Sequence, residues 1–129
     1  PWLEPGRVIG ALRGGGSAAL VGVDVTVDSF IPRAPGDGKF DGMTVRAVRF
    51  RVSDRRRYDP TRLAVAVAVA IRETHSDSFA FRVQSFDRLA AGPELRRAIE
   101  AGTRPEVIWR TWAESLDRFR RSRANYLLY

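Results

Sequence analysis

Residues 59–75 read DPTRLAVAVAVAIRETH, and their conformation decides the fold. Leu63, Val65, Val67, Val69 and Ile71 alternate strictly with alanine, which is the period of a strand. Three features oppose that reading. Asp59 followed by Pro60 is a helix cap followed by a first-turn proline. The run of about 16 residues is long for a strand, and its spacers are alanine, the strongest helix former. The segment therefore reads as a buried helix over 60–75.

On its C-terminal side, residues 79–83 (FAFRV) suggest a short strand and 86–91 a small helix. Pro93 and Glu94 open a further helix over 93–101, which Gly102 stops. Thr103 and Glu106 have capping-box spacing ahead of a last helix over 104–122. Ile108, Trp112, Leu116 and Phe119 form the expected core stripe of that helix. The tail Tyr126-Leu127-Leu128-Tyr129 is apolar enough to pack down.

On the N-terminal side, residues 43–53 read as a strand with Val48, Phe50 and Val52 on one face and Arg49 and Arg51 on the other. The Gly/Pro-rich stretch 33–42 is a loop, and 18–31 is a second strand with Val21, Val23, Val25 and Val27 alternating. A short helix over 4–13 carries Val8, Ile9 and Leu12 on one face and ends at Gly14-Gly15-Gly16. The expected fold is α+β: a small mixed sheet of two long strands plus one or two short ones, packed with four to five helices in one domain over 1–129.

Composition narrows the chemistry. The chain has 129 residues, a net charge of +7, no cysteine and one histidine. Without cysteine there is no disulfide, thiolate metal site or cysteine nucleophile, and a single histidine makes no zinc site. The expectation is no metal and no cofactor. No apolar run is long enough to span a membrane. The chain opens Pro1-Trp2-Leu3 without Met or a signal pattern, as expected of a processed protein or a piece of a longer one. Lys39 is the sole lysine; the other cations are arginines. Such a charge admits a nucleic-acid-binding module or a plain interaction domain.

No residue set is expected to be catalytic. His75 ends a helix, where a cation is favoured, and reads as a surface residue. Asp24 and Asp28 share a strand face but stand about 13 Å apart, beyond the ~5–9.5 Å of glycosidase carboxylate pairs. Asp54 and Asp59 bracket a turn and read as turn caps. Arg55-Arg56-Arg57 and the cluster Arg118, Arg120, Arg121 and Arg123 could hold an anion. Trp109 and Trp112 lie on the core stripe, so packing accounts for them.

The ordered motifs nonetheless carry a resemblance. Pro1-Trp2, Gly22-Val23, Phe30-Ile31-Pro32, Lys39-Phe40-Asp41-Gly42, Val52-Ser53-Asp54-Arg55, Tyr58-Asp59-Pro60, Phe86-Asp87-Arg88-Leu89-Ala90-Ala91, Ala101-Gly102, Trp112 and Tyr126-Leu127-Leu128-Tyr129 follow one another across nearly the whole chain. This series resembles the C-terminal domain of NamZ-type (YbbC-like) exo-β-N-acetylmuramidases. It departs where the family carries Cys and Gly, at Val45 and Ala47, and where Ala91 replaces a Gly. The resemblance implies an accessory, substrate-pocket domain of a peptidoglycan glycoside hydrolase, inactive alone, that removes terminal N-acetylmuramic acid in concert with a partner. That partner is a Rossmann-like N-terminal domain carrying the catalytic Glu. It also implies an extracytoplasmic setting and no nucleic acid as partner. Arg33, Lys39 and Arg55, on loops after the two strands, are the expected contacts for the lactyl carboxylate of the sugar.

Overall fold

The computed structural model describes residues 2–126. Five helices, α1 (Pro5–Gly15), α2 (Pro60–Thr74), α3 (Val83–Leu89), α4 (Glu94–Glu100) and α5 (Pro105–Ala124), accompany two strands, β1 (Val23–Phe30) and β2 (Val45–Val52). The strands form one antiparallel hairpin, with Val23 opposite Val52 and Phe30 opposite Val45.

The 59–75 segment is helical. Asp59 accepts hydrogen bonds from the backbone N–H groups of Thr61 and Arg62, each at 3.0 Å, and Pro60 occupies the first turn. Its strand-like alternation has a packing origin. Ala66 and Ala70 join Val8 and Leu12 of α1 in one buried cluster, which Val48 and Phe50 of the hairpin cover. Val65 and Val69 join Ile99 of α4 and Ile108 of α5 in a second. The helix is buried on two sides, so it is apolar well beyond the stripe of a surface helix. Trp109 touches both clusters.

Several expected elements differ. Residues 17–20 form a 3-10 turn, so the first strand begins at Val23 rather than at 18. Residues 79–82 pair with no strand among the described residues; Phe79 instead meets Phe81 edge-on, Phe81 packs tilted against Phe86, and α3 starts at Val83. Among the described residues the sheet therefore has two strands and none of the short additional ones. The capping box does not form: Arg104 is the N-cap of α5 and no side chain bonds there. Thr103 instead completes the end of α4, its N–H reaching Ala98 C=O and that of Gly102 reaching Ile99 C=O, a Schellman pair with Gly102 left-handed. The α5 core stripe stops early: Ile108 is buried, Trp112 is half-buried, and Leu116 and Phe119 are exposed. Tyr126 is 81% exposed, and the rest of the expected packed tail, 127–129, lies outside the described residues.

His75 is the clearest reversal. It is buried, and its Nε2 accepts the backbone N–H of Glu4 at 2.9 Å, while Nδ1 faces the Thr74 hydroxyl at 2.7 Å. The Thr74 hydroxyl donates to Ala70 C=O. This chain of bonds assigns the proton of a neutral ring to Nδ1. Glu4 also pairs through its carboxylate with Arg46 of β2 at 3.1 Å. The histidine thus ties the N-terminal segment to the end of α2 and, through Glu4, to the hairpin.

Two backbone positions generate tests. Gly22 (φ +77°) starts the hairpin, and its C=O accepts the N–H groups of Ser53 and Asp54. A Cβ there would stand 2.5 Å from Asp54 C=O. Gly22→Ala should cost on the order of 3 kcal/mol in chemical denaturation, whereas Gly36→Ala, with open space around it, should stay within about 0.5 kcal/mol. Ala91 is left-handed (φ +59°), which explains glycine as the residue expected at this turn. Ala91→Gly should raise stability by about 1 kcal/mol, read as a higher denaturation midpoint.

Candidate functional site

The hairpin sets the geometry. Its inner face (Val23, Val25, Val48, Phe50) packs on the helices, while its outer face carries Asp24, Thr26 and Asp28 opposite Arg51, Arg49 and Ala47. Asp28 and Arg49 form an ion pair there. Eight-residue strands separate the two ends of the hairpin by about 24 Å.

At one end, residues 31–44 form an ordered loop. Gly42 N–H bonds Pro32 C=O at 3.0 Å, Ala34 N–H bonds the Asp41 carboxylate at 2.8 Å, and Gly38 N–H bonds Pro35 C=O at 2.9 Å. Ala34, Gly38, Phe40 and Gly42 all have positive φ. Two of these are not glycine, and left-handed backbone at such residues is held only where neighbouring bonds enforce it. The result is a shaped tip that exposes large apolar side chains: Phe30, Ile31, Phe40 and Met43 are each about half exposed.

Arg33 and Lys39 share this loop. Lys39 pairs loosely with Asp37 at 3.8 Å, and among the described residues Arg33 has no carboxylate partner. Arg55 lies at the opposite end of the hairpin, in the 53–58 turn, where Asp54 accepts Arg56 N–H at 2.9 Å. The structure places Arg33 and Lys39 on the same loop and sets Arg55 apart at the other end of the hairpin. Phe40, inside the Lys39–Gly42 motif, joins this loop as an exposed ring, which residue order does not reveal because exposure is set by what packs around it.

The remaining candidates hold no catalytic arrangement among the described residues. Asp54 and Asp59 serve as turn and helix caps. The arginines of α5 are solvated along the helix, with Arg118 beside Glu114 and Arg120 beside Asp117, and converge on no single anion. No cluster of three metal-binding side chains occurs among the described residues, and no described helix is long and apolar enough to cross a membrane.

Two carboxyls are held below the usual carboxylate range, Asp28 by the hydrogen bond from Arg49 and Asp87 by that from Arg96. The Asp87–Arg96 pair is two-pronged, at 2.8 and 2.9 Å, and joins α3 to α4. A carboxyl whose folded pKa is depressed contributes stability above its unfolded value, near 3.8, that is lost as pH falls through the folded one. Stability should therefore fall in the acid range below about pH 4. In Asp87→Asn the fall should be shallower, as followed by denaturation at stepped pH.

Residues 1–129 match the family described as exo-beta-N-acetylmuramidase NamZ, C-terminal. The peptidoglycan beta-N-acetylmuramidase NamZ of Bacillus subtilis (strain 168) is 31% identical over 114 residues, covering 88% of this chain and 27% of that protein. The chain thus spans about a quarter of that relative's length. The crystal structure of a DUF1343 family protein from Bacteroides fragilis NCTC 9343 aligns with a TM-score of 0.78 over 99% of this chain and 33% of that one. At 19% identity that likeness is one of fold.

Proposed function

The chain belongs to the family of NamZ C-terminal domains, and from that premise we propose that it is the accessory domain of a peptidoglycan exo-β-N-acetylmuramidase. Its hairpin loop 31–44 forms one wall of the pocket for the terminal N-acetylmuramic acid. The observation that carries this reading is the loop itself, a hydrogen-bonded, exposed tip that combines apolar rings with the Arg33 guanidinium, which has no carboxylate partner among the described residues.

In this reading Arg33 offers its planar fork to the lactyl carboxylate of the sugar, which two parallel N–H bonds can hold. Lys39 adds a second positive charge, and Phe40 gives a flat apolar surface to the C–H face of the ring. Arg55, at the far end of the hairpin, belongs to the same pocket only if the glycan extends that far. The general acid comes from the rest of the protein, a Rossmann-like N-terminal domain. What supports that division is that Asp28, Asp54, Asp59 and Asp87 are engaged in ion pairs and caps among the described residues, whereas glycoside hydrolysis needs a carboxylic acid free to give its proton to the leaving oxygen.

Steady-state kinetics of the enzyme that carries this chain test the assignment. Arg33→Ala and Lys39→Ala should each raise KM for a muramic-acid-terminated fragment about tenfold, the cost of one charge-assisted bond, while kcat changes less than about twofold. An unchanged KM removes the residue from the pocket.

A further inference from the structure

A second cleft opens between the start of α2 and the middle of α5, with a volume of about 420 Å³. It begins immediately after the 53–58 turn, toward the end of the hairpin opposite loop 31–44. Its lining combines the indoles of Trp109 and Trp112 with two carboxylates, Asp59 and Asp117, and two guanidiniums, Arg62 and Arg120.

We propose that this cleft binds a neutral N-acetylated pyranose of the glycan chain, a distal hold separate from the pocket for the terminal sugar. The proposal rests on the glycan reading above and adds a subsite to it. The volume suits a small ligand, and the lining has the composition of such sites: apolar rings with a few polar groups. A pyranose matches it, presenting one face of C–H bonds to an indole and hydroxyls to the rim. The rim charges cancel in pairs, Arg62 with Asp59 at 3.4 Å and Arg120 with Asp117 at 3.6 Å. Each guanidinium keeps unused N–H donors for hydroxyl oxygens. The Arg62 guanidinium lies over the Trp109 ring, 5.4 Å from its centre, and covers that face, so Trp112 is the ring left to receive the sugar.

Chitotriose, a neutral N-acetylglucosamine oligomer, tests this by calorimetry and by the three indole N–H resonances in nuclear magnetic resonance. The Trp109 and Trp112 signals should move on titration while that of Trp2 stays. Trp112→Leu, which keeps apolar bulk against the core, and Arg120→Ala, at the exposed rim, should each weaken binding at least about fivefold. Arg33→Ala and Phe40→Ala should leave it unchanged, which separates this site from the hairpin loop. No saturable binding, unmoved Trp109 and Trp112 signals, or undiminished affinity in both cleft variants would overturn the proposal.

Discussion

The double burial of α2 is the constraint on which the rest of the structure depends. A helix packed on two sides must be slim where one neighbour comes close and bulky where the other needs filling. Alanine at 66 and 70 lets α1 and Gly16 approach, and a Cβ at Gly16 would already stand 3.2 Å from that of Ala66. Valine at 65 and 69 fills the opposite side against α4 and α5. Removing water from those side chains contributes on the order of 1.5–3 kcal/mol for each fully buried valine or leucine. Helices α1, α4 and α5, and through Val48 and Phe50 the strand β2, are positioned by which side of α2 they cover.

The hairpin follows from that arrangement. Its inner face is fixed by Val48 and Phe50 against the α1–α2 cluster, and a one-residue slip would expose them while burying Arg49 and Arg51. Gly22 anchors its base through two hydrogen bonds, and the Glu4 contacts with His75 and Arg46 hold its side. The 31–44 tip is thereby carried on a rigid support, the condition under which a loop can present side chains with defined geometry.

Much of this was legible from residue order. The Asp59-Pro60 signal overrode a period-2 pattern because a cap and a first-turn proline act locally, on neighbouring N–H groups. The Gly102 stop held for the same reason. The capping box failed because the residues around Thr103 had two possible uses, and the Schellman closure of α4 claimed its N–H first. The 79–83 strand failed because a strand needs a partner edge, and the three phenylalanines there found one another instead. For the site, the loop was legible as Gly/Pro-rich and basic, but the exposure of Phe40 and the separation of Arg55 from Arg33 were not.

By itself, then, the sequence determined the elements whose signals are local: the capped start of α2, the Gly102 stop of α4, the presence of the two strands and the loop between them, and through the order of its motifs the family. Only the tertiary structure decided which apolar faces were covered. Phe119 and Ile108 belong to the same helical stripe, yet one is exposed and the other buried, because burial depends on which elements reach that length of α5. Likewise His75 became a buried acceptor because a backbone N–H from 71 residues away needed one. Such contacts are set by three-dimensional proximity, which no spacing along the chain encodes.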